Sequence, residues 1–241
     1  MNNLLIVESD NDKYFIEELV NFLNLDITVD NPICSINDFE CLGGLNKLEE
    51  KLNSINKKIK KDSIEKIGII LDADEEGTEK RIHFINEKLR NICSDIQLDK
   101  INEFKYSTEL QVYIGCYIMN IADSGELETV LKAIKSQDST YADCLQAWRE
   151  CLSSKNKEIK DKDFDKFWVS NYLKFDTCIT SKHRGKKEKY CANEIVNYSE
   201  DCDDVKVILQ TNSETLGKKD IWDFENPILD DLKEFLNLIN Q

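Results

Sequence analysis

Residues 68–77 read GIILDADEEG, an apolar run that stops abruptly at Asp72 and Asp74 with only Ala73 between them. In an extended chain, residues i and i+2 point to the same side. Two carboxylates would then lean into one small space and repel each other unless a positive charge sits with them. A divalent cation is one answer. Turn chemistry is another, because Asp and Gly commonly close strands. The choice depends on what else ends beside this strand.

Working outward, Leu4-Leu5-Ile6-Val7 is a second short apolar run, of the kind buried on both faces of a parallel sheet. It ends in Glu8, followed by Asp10 and Asp12. Phe15, Ile16, Leu19, Val20 and Leu23 recur at helical spacing, so 12–24 is expected to be an amphipathic helix. Cys34–Leu42 is expected to be extended, and Gly43-Gly44 to precede a helix over about 45–60. Residues 66–71 read as a strand, Ile82, Ile85, Leu89 and Ile92 as one helical stripe, and 110–119 as a strand. This order predicts an α/β core with a mostly parallel sheet flanked by helices over 1–124. Segments 126–136, 139–152, 160–175 and 186–198 read as helices, with strand signal again at 204–209. Residues 125–241 are therefore expected to be a helical elaboration completing the same domain.

Composition bounds the function. The chain has 241 residues, a net charge of −15, and nine cysteines beside two histidines. The cysteines form no C-x-x-C pair, which argues against a zinc site and a disulfide framework and places the protein in the cytoplasm. They are expected to be buried small hydrophobes. No apolar run reaches the roughly 20 residues of a membrane helix, and the acidic N-terminus is unlike a signal peptide. A chain this acidic lacks the general attraction to phosphate on which nucleic-acid binding rests. Binding DNA or RNA would take a basic patch, bridging cations or a partner.

Functional groups gather at the carboxyl ends of parallel strands, so Glu8, Asp72 and Asp74 are expected to converge there, with Asp12 in the first turn of the following helix. An oxygen-only set favours Mg²⁺ or Mn²⁺ over zinc. Taken on its own, Asp12 reads more simply as a plain N-terminal helix residue, and Asp10 as a candidate cap, not a metal ligand. Trp148, Trp168 and Trp222 lie in apolar helical patterns and are expected in the core, His83 on the surface, and Glu126 at an exposed helix start.

Three family patterns touch these residues. LLIVESD is similar to the opening of bacterial receiver domains, but neither proline follows a lysine as that family requires. DADEEGT is similar to the nucleophile loop of haloacid-dehalogenase-type phosphatases, with two extra residues before Gly-Thr. The third match spans nearly the whole chain. Glu8 closing one strand, Asp12 four residues on, and Asp72-Ala-Asp74 closing another resemble the Toprim domain of topoisomerases, DnaG-type primases and OLD-family nucleases. The chain looks most like the small single-domain relatives of the OLD type. Gly43-Gly44 before a helix, the strand and G-x-L-E of YIGCYIMNIADSGELETVL, SKHRGKKEKYCA and IWDFENPILDDLKEFL extend the match. Ser9 stands where the family usually has glycine.

The resemblance implies metal-dependent phosphodiester hydrolysis. Glu8, Asp12, Asp72, Asp74 and Glu128 would surround Mg²⁺ or Mn²⁺, and Lys187 would contact phosphate. One- and two-metal schemes both remain open, with Glu8 as ligand or general base. Lys182, Arg184, Lys186, Lys187 and Lys189 form the most basic stretch and the expected nucleic-acid contact, although such runs are usually solvated surface. There is no G-x-x-x-x-G-K-[ST], so an ATPase of the kind OLD nucleases use would be a separate partner. A homodimer is also expected. The other reading is a non-catalytic or regulatory Toprim module that binds metal and a partner protein.

Overall fold

A computed structural model describes residues 2–33, 44–177, 180–183, 186–189 and 221–241. The chain forms two compact units, Met1–Leu127 with Pro227–Gln241, and Glu128–Asn226.

The first unit is built on five strands: β1 (Asn2–Ile6), β2 (Thr28–Val29), β3 (Ile64–Asp72), β4 (Phe104–Ser107) and β5 (Val112–Met119). Their order is β2-β1-β3-β5-β4, with β4 alone antiparallel. Helices α1 (Asp10–Phe22), α2 (Leu48–Asp62) and α3 (Thr78–Arg90) follow β1, precede β3 and follow β3. The fold is thus α/β with a mostly parallel sheet flanked by helices.

Alternation along β3 explains why its sequence is apolar throughout. Ile67, Ile69 and Leu71 enter a core cluster with Leu52 and Ile55 of α2 and Ile82, Ile85 and Leu89 of α3. Gly68, between them, faces the other way. A Cβ there would come within 2.7 Å of Leu5 and 3.0 Å of both Phe235 and Ile239 on the helix Asp230–Asn240. Gly68 pairs with Gly115 of β5, so two glycines make a shallow trough in the sheet. Phe235 fills it, stacking on Phe104 at 5.3 Å. Lys66 Nζ donates to the Leu238 carbonyl at 2.8 Å, tying the sheet to this helix.

The second unit contains α4 (Leu127–Ala133, whose first residue belongs to the first unit), α5 (Thr140–Asp143), α6 (Leu145–Ser153) and α7 (Asp161–Asn171), which continues as a π turn over Tyr172–Asp176. The C-terminal helix Asp230–Asn240 is designated α8. Tyr172 stacks on Trp168 at 5.2 Å and meets Trp222 at 5.3 Å. Its hydroxyl donates to the Ile221 carbonyl at 3.0 Å and accepts from the Gln137 N–H at 3.0 Å.

Several expectations need correction. Residues 186–189 begin no helix: β6 (Thr180–His183) and β7 (Lys186–Lys189) pair antiparallel, with His183 opposite Lys186. Trp148 is 41% exposed, whereas Trp168 and Trp222 are buried as expected. Its helix, α6, buries no residue at all. Glu126 is buried. Cys93 and Cys116 are buried, but Cys144 and Cys151 are exposed. Ile92 lies beyond the end of α3. The extended segment expected over 34–42 and the strand over 204–209 lie outside the described residues.

Candidate metal centre

Glu8 lies just past the carboxyl end of β1, and Asp72 is the last residue of the adjacent central strand β3. Both are half-buried. These two carboxylates therefore terminate neighbouring parallel strands at the edge of the sheet where such folds place their chemistry.

Asp74 does not simply repeat Asp72. Its φ is 51°, in the left-handed region, so the extended alternation ends before it. Its carboxylate forms an ion pair with Arg81 of α3, the side chains being 23% and 11% exposed. The positive charge that offsets Asp74 is thus a guanidinium seven residues downstream. Arg81 Nε is buried and has no hydrogen-bond partner among the described residues.

Asp12 is likewise engaged. Its Oδ2 accepts from the Ser9 backbone N–H at 2.8 Å and the Ser9 hydroxyl at 2.7 Å, while Ser9 Oγ accepts from the Asp12 N–H at 3.3 Å. This is a reciprocal capping box at the start of α1. The cap is Ser9, not Asp10. It also gives Ser9 a physical role: its hydroxyl satisfies a helix N–H that a glycine there would leave to water.

The loops after β3 and β5 are latched together. Asp74 and Gly125 exchange backbone hydrogen bonds of 2.8 and 2.9 Å. Asp123, at φ 69°, accepts the Thr78 N–H at 2.8 Å and so caps α3 from the neighbouring loop. That backbone bond, with help from the Thr78 hydroxyl, holds the Asp123 carboxyl below its usual range. Asn120 Oδ1 accepts the Asp123 N–H at 3.1 Å and fixes the turn. A Cβ on Gly77, at φ 83°, would sit 3.0 Å from Asp123 Oδ2, so this closure needs glycine.

The remaining expected residues divide between the units. Glu128 is buried in α4, in the second unit, while Glu8, Asp12, Asp72 and Asp74 lie in the first. Lys182, Lys186, Lys187 and Lys189 lie on the β6–β7 pair in the second unit, with Lys187 opposite Lys182. Arg184 lies outside the described residues.

Among the described residues, no three His, Cys, Asp or Glu side chains form a cluster able to hold a metal ion. Asp12 caps α1, Asp74 pairs with Arg81, and Glu8 and Asp72, which end the two adjacent strands, also have partners within the protein. Two hard oxygen donors do not suit zinc, nor calcium with its larger shell. They do suit Mg²⁺, which keeps several waters and takes one or two carboxylates together with substrate phosphates. Hard oxygen donors of the kind Glu8 and Asp72 supply are the chemistry that Mg²⁺ or Mn²⁺ takes.

Arg81 and Asp123 were missed by sequence reasoning. Arg81 carried a faint signal, as a basic residue in the first turn of the helix that follows Asp72-Ala-Asp74. Asp123 carried none, since its role depends on a contact to a helix 45 residues away in sequence.

No helix among the described residues is long and apolar enough to cross a membrane. No curated protein and no solved structure matches the chain. A family model described as "Protein of unknown function (DUF3226)" matches residues 2–241, and the chain belongs to that family.

Proposed function

We propose that this chain is a Mg²⁺- or Mn²⁺-dependent Toprim nuclease of the cytoplasm, hydrolysing phosphodiester bonds in DNA or RNA, as the effector partner of a separate ATPase. The observation that carries this reading is the ending of two adjacent central parallel strands in Glu8 and Asp72. Glu8 and Asp72 would hold the cation. When bound, it supplies charge neutralisation at the phosphate and a water of lowered pKa. Asp74, fixed by Arg81, keeps a carboxylate at the same loop without requiring a metal to neutralise it. The latch between Asp74 and Gly125 and the Asp123 cap on α3 hold the carboxyl-end loops in place, as a site of oriented charges requires.

The second reading is a non-catalytic or regulatory Toprim module that binds metal and a partner protein. It is favoured by one observation, the Arg81 guanidinium that already neutralises Asp74.

Titration calorimetry of Mg²⁺ and Mn²⁺ into wild type, Glu8→Gln and Asp72→Asn separates these readings when joined to cleavage assays on DNA and RNA. The nuclease reading expects binding in wild type, its loss in both variants, and metal-dependent cleavage lost in parallel. Metal binding without cleavage, with and without a candidate ATPase, would leave the scaffold. Absence of metal binding in wild type, or binding untouched by either substitution, would refute a site at these strand ends.

A further inference from the structure

The second unit carries a face that no part of its described core uses. Helix α6 buries nothing, and Cys144, Ala147, Trp148 and Cys151 fall at i, i+3, i+4 and i+7, making one exposed stripe. Trp148 packs against Phe167 of α7, their rings 5.4 Å apart, yet both remain 41% exposed. Keeping two large aromatic rings together and in water forgoes the burial that normally holds such groups.

What flanks the rings indicates the ligand. The connection from α6 to α7 carries Lys155, Lys157 and Lys160, all exposed and none in a salt bridge among the described residues. Arg149 pins this connection to α6 by donating to the Ile159 carbonyl at 3.3 Å and pairing with Asp161. Over residues 149–163 the chain carries five basic side chains against four acidic ones, Glu150, Glu158, Asp161 and Asp163, and the three lysines between 155 and 160 face one acidic residue there, Glu158. In a chain of net charge −15, this is a local excess of positive charge beside a pair of exposed rings. Lysine is depleted from protein–protein interfaces, whereas aromatic platforms beside lysines are how single-stranded nucleic acid is held without sequence preference.

We infer that Trp148 and Phe167, with Lys155, Lys157 and Lys160, form a stacking surface for single-stranded nucleic acid. The inference rests on the nuclease reading for its choice of ligand, but it can fail separately, because binding to this surface needs no divalent cation. It assigns substrate capture to the α6–α7 face in addition to the basic β6–β7 pair.

The test is binding of a fluorescence-silent oligothymidylate to the full chain in EDTA, followed by tryptophan emission. Trp168 and Trp222 are buried, so Trp148 is the tryptophan placed to be quenched by a stacked base. Wild type should bind with quenching. Affinity should fall about twenty-fold between 50 and 200 mM salt, from about 0.7 in slope for each of three neutralised phosphates. Trp148→Ala should weaken binding about tenfold or more, in line with the loss of one stacked base, and K155Q/K157Q/K160Q should lower the salt slope by about 2. No binding by wild type at 50 mM salt, or unchanged binding by Trp148→Ala, would overturn the inference. So would self-association of wild type that Trp148→Ala abolishes in place of oligonucleotide binding, since the face would then be a protein contact. Metal-dependent cleavage at wild-type affinity in both surface variants would overturn this surface while keeping the nuclease. Binding here without any metal-dependent cleavage would support the surface and remove the nuclease.

Discussion

Replacing Arg81 by methionine should destabilise the first unit by about 2–3 kcal/mol. The estimate starts from a charged hydrogen bond worth about 1.5–3 kcal/mol and the 3–5 kcal/mol cost of breaking a fully buried pair. It is reduced because the Asp74 side chain is 23% exposed and water can reach it once Arg81 is gone. Methionine keeps most of the packing of the arginine stem, so the loss reports on charge. Asp74→Asn should cost about 1–2 kcal/mol, since an amide still accepts a hydrogen bond but carries no charge. The double variant should be more stable than the sum predicts by about 1–2 kcal/mol, the coupling expected of a pair in direct contact. Tryptophan emission reports only on the second unit, where all three tryptophans lie. Urea unfolding should therefore be followed by far-ultraviolet circular dichroism, with amide exchange in β3 as the local probe. An Arg81→Met variant within about 0.5 kcal/mol of wild type, the usual spread for surface changes, or a strictly additive double variant, would refute Arg81 as the charge that makes Asp74 tolerable.

Three further outcomes follow from the packing. Ser9→Ala should cost about 1 kcal/mol by removing the cap on α1, whereas Ser9→Gly should cost only a few tenths; equal losses in thermal or urea unfolding would contradict the capping box. Gly68→Ala should destabilise by about 1–3 kcal/mol through overpacking, because its Cβ would press on Leu5, Phe235 and Ile239; a neutral variant would mean that α8 does not lie in the trough as described. Asp95 should give an acid-range dependence. Desolvation would raise its pKa, but bonds from the Thr108 and Ser107 hydroxyls and the Glu109 and Thr108 N–H groups prevail and lower it to about 2. A depressed folded pKa means that the stabilisation is present above the unfolded value near 3.9 and lost as pH falls towards 2. Asp95→Asn should flatten that part of the stability profile, and an unchanged slope would count against the contact.

The central strands were legible because burial on both faces writes a continuous apolar run, as in Leu4–Val7 and Ile67–Leu71. The short edge elements were not. Two-residue β2 has too few positions to show a period, and β4 is a half-exposed partner whose assignment depends on pairing with β5. Residues 186–189 read as helix because Lys and Glu favour helices, yet local propensity gives way to strand pairing. Trp148 misled for a related reason: an amphipathic pattern reports that a helix has an apolar side, not that anything covers it. At the candidate site, the carboxylates could be picked out by residue type, but their present partners could not. Ser9 is three residues from Asp12 and was within reach of a capping-box reading. Arg81 required knowing that the chain turns at Asp74.

The glycine trough has a consequence for the order in which the protein can be made. Its cover, α8, follows the whole of the second unit in sequence, so that unit is translated before it. Domains generally fold as units while synthesis proceeds. Here the second unit can close on itself while one face of the sheet still lacks Phe235 and Ile239. A chain halted at residue 226 should therefore protect the second unit from protease while leaving the sheet susceptible, and equal protection of both would refute this sequence of events. The strands made first keep one face open until residues 230–240 have followed the second unit.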